Sequence, residues 1–210
     1  MLKKFTFLLL LIPISLFSFG QSFSLAGEWR VKLDPENEWA TKSPDRTKME
    51  GTINLPSSLA EAGFGYKTEG SDFGILTPEY RYIGKAWYSR EIEIPESWKN
   101  KEVELFLERV LWESRVFIDE KELSRKDALG TPHVHNLGNL PPGKHRLTIC
   151  VDNDMIHNIG DKGHAYEEYT QSIWNGMVGR IEMRALSPVH IKSVRTFPDI
   201  SGDSLKIEWK

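Results

Sequence analysis

The sequence predicts an all-β fold of the sandwich type, on two observations. In the run 102–108, Val103, Leu105 and Leu107 alternate with glutamates, a period of two that predicts a half-buried strand. Similar short β-rich runs recur along the chain between turn signals, as in antiparallel sandwiches with one core face and one solvated face. The predicted strands cover residues 27–31, 51–55, 86–94, 103–108, 114–119, 146–151 and 178–184. The 27% charged and 40% hydrophobic composition fits this arrangement.

The first 20 residues form a separate segment that predicts export. Lys3 and Lys4 precede an apolar stretch, 5–19, which is shorter than a bilayer-spanning helix requires. Ser18 and Gly20 supply the small residues that a signal peptidase needs, so we expect cleavage after Gly20. No cysteine follows the apolar stretch, and we therefore expect no lipid or membrane anchor after cleavage. The mature protein is predicted to be periplasmic or extracellular.

Charge and cysteine content exclude some partners and chemistries. The net charge is −3, and loss of Lys3 and Lys4 makes it −5, which argues against nucleic acid or an anionic membrane as a partner. Cys150 is the single cysteine and can form no internal disulfide. A catalytic thiol is one interpretation, but no histidine-rich context activates it, and a buried inert thiol is favoured.

Ser187-Pro188 interrupts the series of predicted strands of the first sandwich. The residues after it predict two more strands around a turn at Ser201-Gly202-Asp203. Because two strands do not make a stable domain, we expect them to open a second β-sandwich. The predicted division is therefore 1–20 signal peptide, 21–186 first domain and 187–210 start of a truncated second domain.

Five segments, in order along the chain, carry a resemblance to a known family. They are LAGEW (25–29), INLP (53–56), LTPEYRYIGKAWYSREIEIP (76–95), GHAYEEYTQSIWNGMVGRIEM (163–183) and PVHIKSVRTFPDI (188–200). Together they resemble the N-terminal sugar-binding domain of glycoside hydrolase family 2, which includes β-galactosidases and β-glucuronidases. The resemblance implies a galactose-binding-like jelly roll followed by the first strands of an immunoglobulin-like domain.

The chain also departs from the family pattern. After the strand 114–119 the family often has Asn-Gly, which suits a type I′ turn, whereas this chain has Glu120-Lys121. We therefore expect a different turn type there. Better-known β-galactosidases carry an acidic residue where this chain has Ser172, so a galactose-specific contact is not transferred.

Catalysis in this family requires two carboxylates about 5–5.5 Å apart. Both are glutamates of a (β/α)₈ barrel, a fold of roughly 250 residues. The chain has no room for that barrel, and its Asn37-Glu38 pair lies in a charged loop and matches the family's catalytic dipeptide by chance. No catalytic residue, metal ligand or cofactor is assigned, and we expect no hydrolysis by this chain.

The resemblance places a candidate sugar-facing loop at residues 152–177. Flat aromatic faces and directional hydrogen bonds hold sugars. The predicted sugar-binding residues are Trp174, Asn175, Gln171, His164, Thr170 and Glu168. Two alternatives stay open: Trp174 as a core residue, and Asn175-Gly176 as a simple turn.

Two other groups have competing interpretations. His133 and His135 are spaced to share one face of a strand, as a metal pair would, but no third ligand completes a site, and solvent-facing histidines are favoured. The tryptophans of the first half could form a binding platform, although core positions are favoured. They are Trp29, Trp87, Trp98 and Trp112.

The predicted function is the non-catalytic, sugar-binding N-terminal part of an exported family 2 β-glycosidase. Its partners would be a β-glycoside and the catalytic barrel, whose active-site mouth it would shape. The alternatives are a free-standing carbohydrate-binding module and a domain that has lost its ligand.

Overall fold

The computed structural model describes residues 21–39, 42–70, 77–160, 163, 173–187, 189–202 and 204–210. The predicted signal peptide lies outside the described residues. The strands are β1 (Gln21–Ser24), β2 (Gly27–Asp34), β3 (Gly51–Leu55), β4 (Ser57–Ser58), β5 (Tyr66–Lys67), β6 (Tyr80–Arg81), β7 (Lys85–Ile94), β8 (Glu102–Arg109), β9 (Glu113–Ile118), β10 (Lys121–Asp127), β11 (His133–Gly138), β12 (Gly143–Asp152), β13 (Gly176–Leu186), β14 (Val194–Asp199) and β15 (Ser204–Trp209). Short 3₁₀ turns cover Arg46–Lys48 and Glu96–Trp98.

Two antiparallel sheets form the sandwich, and the predicted all-β class is confirmed. One sheet has the order β1-β13-β8-β11, with β4 paired to the start of β13. The other has the order β10-β9-β12-β7-β2-β3. All seven predicted strands are present, most with one to three additional residues at an end. No helix in the described part of the chain is long and apolar enough to cross a bilayer.

The main core lies between the two sheets and follows the predicted alternation. Val103, Leu105 and Leu107 of β8 are completely buried. Burial of a side chain of this size contributes about 1.5–3 kcal/mol. Trp29, Trp98 and Trp112 are also at most 2% exposed, and so is Trp87 on the opposite face of its sheet, so the core interpretation of all four tryptophans is confirmed.

A second apolar cluster covers the outer face of the six-stranded sheet. It consists of Trp39, Met49, Trp87, Phe117 and Cys150. The buried Asp34 carboxylate organises it, accepting hydrogen bonds from the backbone N–H of Trp39 (3.2 Å) and the indole N–H of Trp87 (3.1 Å). Burial raises the pKa of the Cys150 thiol far above its usual range, which agrees with an inert thiol.

The corner between β9 and β10 corrects the turn prediction. Asp119 and Glu120 are its two central residues, with φ of 49° and 73°, as a type I′ turn requires. The cost of these angles in non-glycine residues is offset by anchoring to β12. The Asp119 carboxylate accepts hydrogen bonds from the Arg146 backbone N–H (2.8 Å) and from His145 (2.6 Å).

Strands β14 and β15 form the hairpin predicted after Ser187-Pro188. They pair in register from Val194↔Trp209 to Asp199↔Ser204. Asp199 fixes the turn, because its carboxylate accepts hydrogen bonds from the backbone N–H and the hydroxyl of Ser201. Every residue of both strands is exposed.

Candidate sugar-binding site

The predicted site residues fall into two groups. Trp174 and Asn175 are described and precede β13 directly. Gln171, His164, Thr170 and Glu168 lie outside the described residues.

Trp174 lines a pocket of about 360 Å³. The other walls are the end of β8 with the residues after it, and the loop between β10 and β11. The lining residues are Glu108, Arg109, Val110, Leu111, Leu129, Gly130, Thr131 and Pro132. Because Trp174 is half-buried and faces this pocket, it is not a core residue.

Of the two charged residues that line this pocket, Arg109 is the one that could bind a ligand. It is exposed at the end of β8 and forms no ion pair among the described residues. Its neighbour Glu108 is already engaged, since Oε2 accepts hydrogen bonds from the backbone N–H (3.0 Å) and Nε (2.9 Å) of Arg180. These hydrogen bonds hold the pKa of Glu108 below its usual range. Gly179 allows this approach, because a Cβ there would lie 2.9 Å from Glu108 Cδ.

Asn175 points into the sandwich instead of the pocket. Its side chain is 2% exposed, and its Oδ1 accepts a hydrogen bond from the Tyr88 hydroxyl (3.0 Å). Its Nδ2 donates to the Gly84 carbonyl (2.9 Å) and to Asn153 Oδ1 (3.2 Å). The amide is thus satisfied internally, and the predicted sugar contact by Asn175 is corrected to a structural role.

His133 and His135 are buried, at 1% and 0% exposure, so the prediction that they face solvent is wrong. The strand β11 has its histidines on the core face and Val134 outside, the reverse of the usual preference. Both rings bond to the Ser114 hydroxyl, at 2.5 and 2.8 Å. Desolvation lowers the pKa of both, that of His135 to about 3. Within the described residues no cluster of His, Cys, Asp and Glu is suited to a metal.

The Asn37-Glu38 pair lies in the turn after β2, as predicted. Asn37 has φ of 57°, and the Glu38 backbone N–H donates to Asp34 Oδ1 at 2.6 Å. The Asn37 side chain accepts a hydrogen bond from the Lys85 ammonium group. These contacts give the pair a turn-forming role.

Sequence reasoning did not find Arg109 or the loop 129–132. Arg109 follows Val103, Leu105 and Leu107 in the alternation of β8. A charged residue at the end of this apolar series was the signal in the sequence that could have identified it. The loop carries Gly130 and Pro132, but no local pattern indicates that it lies beside Trp174.

Comparison with known proteins shows which enzymes the chain is similar to in sequence. No family model matches the chain. A β-glucuronidase of Paenibacillus borealis is 21% identical over 197 residues, which cover 86% of this chain and 32% of that enzyme. The chain is similar to β-glucuronidases. The resemblance stated from the sequence is thereby confirmed at the level of similarity to these enzymes.

Solved structures agree on the fold. A β-glucuronidase from an uncultured Clostridium species superposes with a TM-score of 0.63 at 20% identity, covering 90% of this chain and 33% of the enzyme. The apo β-glucuronidase of Ruminococcus gnavus gives 0.64 at 17% identity, with 92% and 34% coverage. The chain thus spans about one third of the length of these relatives, as expected for an N-terminal domain of a glycoside hydrolase.

Proposed function

We propose that this chain is the non-catalytic, sugar-binding N-terminal domain of an exported family 2 β-glycosidase, and that its sugar is an acidic β-glycoside such as a β-glucuronide. The observation that carries the proposal is the Trp174 pocket, which combines a half-buried indole with the guanidinium of Arg109, a group without an ion-pair partner among the described residues. The relatives that share the fold are named β-glucuronidases, which supports this choice of sugar.

The pocket chemistry suits a sugar acid. The Trp174 indole offers an apolar face to the C–H groups of a pyranose ring. The planar guanidinium of Arg109 matches a carboxylate with two parallel hydrogen bonds, and the neighbouring Glu108 carboxylate is hydrogen-bonded to Arg180. Thr131 supplies a hydroxyl that can donate to or accept from a sugar hydroxyl.

In this proposal the domain acts next to a barrel that contains both catalytic glutamates, and the Trp174 pocket forms part of the barrel's active-site mouth. Gln171, His164, Thr170 and Glu168, which precede Trp174 in the chain, remain predicted sugar-facing residues. The segment 1–20 remains a predicted signal peptide, which makes export part of the proposal.

Titration of the full chain with methyl β-D-glucuronide and methyl β-D-glucoside tests the sugar assignment. For one small pocket we expect a dissociation constant on the order of 1 mM for the glucuronide. Trp174→Ala should weaken binding about tenfold or more, and Arg109→Met should abolish the preference for the charged sugar. Arg30→Met is the matched control, because Arg30 lies on the outer face of the six-stranded sheet. Equal binding of both glycosides by the unaltered chain would refute the acidic-sugar assignment.

A second assay tests the non-catalytic assignment. Incubation of the chain with a chromogenic β-glucuronide should give no turnover above the uncatalysed rate. Turnover that disappears in Glu38→Gln would contradict the proposal, since it would give the Asn37-Glu38 pair a catalytic role.

A further inference from the structure

A continuous chain of polar side chains crosses from one sheet to the other beside the Trp174 pocket. Ser124 Oγ lies 3.0 Å from His135 Nδ1, and His135 Nε2 lies 2.8 Å from Ser114 Oγ. Ser114 Oγ lies 2.5 Å from His133 Nδ1, and His133 Nε2 lies 3.1 Å from the Ala128 carbonyl oxygen. Ser114 and Ser124 belong to the six-stranded sheet, and both histidines belong to β11 of the other sheet. The chain thus links the two layers.

The Ala128 carbonyl fixes the direction of every hydrogen bond in this chain. A carbonyl oxygen can only accept, so His133 must carry its proton on Nε2. In the neutral ring Nδ1 is then an acceptor, and the Ser114 hydroxyl must donate to it. Since Ser114 has a single proton, His135 must donate to it from Nε2, and His135 Nδ1 accepts from Ser124. One arrangement therefore satisfies every group.

The chain ends on the loop that lines the pocket. Ala128 and His133 flank the residues 129–132, so the bond from His133 Nε2 to the Ala128 carbonyl closes this loop on itself. The Ala128 backbone N–H also donates to the Trp112 carbonyl at 3.1 Å, which holds the same residue from its other side. Ser114 is completely buried on the core face of β9, so its hydrogen bond to His133 anchors the loop to the interior of the sandwich.

We propose that the directional chain Ser124–His135–Ser114–His133–Ala128 positions the loop 129–132 as a wall of the sugar pocket, with His133 as the positioning residue. The role in sugar binding rests on the proposed function, whereas the fixed proton arrangement and the anchoring of the loop do not. Buried polar groups that are fully satisfied rigidify their surroundings, and here the rigid element borders the pocket that contains Trp174 and Arg109.

Nitrogen-15 NMR of histidine-labelled full chain tests the proton arrangement directly. At neutral pH both His133 and His135 should be neutral rings with the proton on Nε2, and His133→Gln and His135→Gln assign the signals. In Ser114→Ala, the His133 Nδ1 signal should shift because it loses its donor. A proton on Nδ1 of either ring in the unaltered chain, or a charged ring, would overturn the proposal.

Amide hydrogen exchange tests the anchoring of the loop independently of any sugar. His133→Phe keeps an aromatic ring but has no donor, and should speed exchange at least tenfold at Ala128, whose backbone N–H donates to the Trp112 carbonyl. His133→Gln retains an N–H donor at the same position and should stay within about threefold of the unaltered chain. The hairpin β14–β15 is the internal reference and should not change. Equal exchange in the phenylalanine and glutamine variants would show that the hydrogen bond does not position the loop.

Titration of the same variants with methyl β-D-glucuronide connects the loop to the sugar. We expect the affinity to fall about tenfold in His133→Phe and to recover in His133→Gln, with Ser124→Ala intermediate because it removes only the far end of the chain. Unchanged affinity in His133→Phe, with faster loop exchange, would overturn the link to sugar binding. Failure of the unaltered chain to bind the glucuronide would instead refute the proposed function, and the exchange result would still decide the anchoring.

Discussion

Strand β8 of the sandwich and strand β15 of the terminal hairpin have the same sequence pattern and opposite surroundings. In β8, Val103, Leu105 and Leu107 are completely buried. In β15, Leu205, Ile207 and Trp209 alternate in the same way and are 54%, 49% and 72% exposed. The difference shows that a period of two specifies a strand with an apolar face, whereas burial of that face depends on a second sheet. Only β8 has such a sheet among the described residues.

The largest expected effect contrasts these two strands directly. Leu105→Ala should lower the free energy of unfolding by about 2–5 kcal/mol, because it removes buried methyl groups and leaves a cavity. Ile207→Ala, the matched control, should change it by less than about 0.5 kcal/mol, as exposed positions do. Urea denaturation measures both. Comparable losses in the two variants would mean that the hairpin is packed in solution.

Acid should destabilise the sandwich through its buried histidines. The pKa of His135 is lowered to about 3 in the folded state, whereas an unfolded histidine has a pKa of about 6.5. Between these values the unfolded chain binds more protons, so the free energy of unfolding falls as the pH drops below about 6.5, by up to about 1.4 kcal/mol per pH unit for one such group. The contribution is complete above that pH.

Urea denaturation at pH 7.5 and 5.0 measures this slope. Hydrogen bonds also lower the pKa values of Asp119 and Asp127 in the folded state. The free energy of unfolding therefore falls further when the pH drops below about 4, where these carboxylates become protonated in the unfolded chain. His135→Gln is therefore the necessary comparison. It should reduce the slope between pH 6.5 and 5.0, and an unaltered slope would argue against a neutral buried His135.

Tyr88→Phe probes the buried amide network under the pocket. The change removes the hydroxyl that donates to Asn175 Oδ1 and leaves a buried acceptor with one partner fewer. We expect a loss of about 1–3 kcal/mol in the free energy of unfolding. Tyr66→Phe is the control, since Tyr66 is 66% exposed. A loss at Tyr66 equal to that at Tyr88 would contradict the structural role assigned to Asn175.

The smallest effect is expected from removal of the hairpin. A chain that ends at Leu186 keeps both sheets of the sandwich, and every residue of β14 and β15 is exposed. The free energy of unfolding should therefore change by less than about 0.5 kcal/mol. A larger loss, measured by the same urea denaturation, would show that the hairpin supports the sandwich and would weaken the contrast between β8 and β15.

The sandwich strands that the sequence predicted have apolar residues on the face that packs against the core. Strands β10 and β11 escaped prediction for a physical reason. β10 is an edge strand composed largely of charged residues, and β11 puts two histidines on its core face. Those histidines are tolerated there because Ser114 and Ser124, from the other sheet, and the Ala128 carbonyl complete their hydrogen bonds. Nothing near His133 in the sequence indicates Ser114 as a partner.

Asp119 and Asn175 illustrate the same limit at the turn and at the site. Without its hydrogen bonds to β12, Asp119 would have little reason to adopt a positive φ, and the β12 residues concerned lie 26 and 27 positions away. Asn175 was predicted as a sugar contact, but the hydrogen-bond partners of its side chain, Tyr88 and Gly84, are 87 and 91 positions distant in the chain. Its direction, inward and away from the pocket, is therefore a tertiary property.

The sequence alone determined the all-β class, seven of the sandwich strands, the terminal hairpin and the similarity to β-glycosidases. These follow from local periodicity, turn residues and ordered motifs, all of which are properties of short segments. The tertiary structure decided which polar residues face inward and which residues line the pocket with Trp174. Both depend on contacts between strands that are distant in the chain, because a buried polar group is stable only where the fold supplies its hydrogen-bond partner.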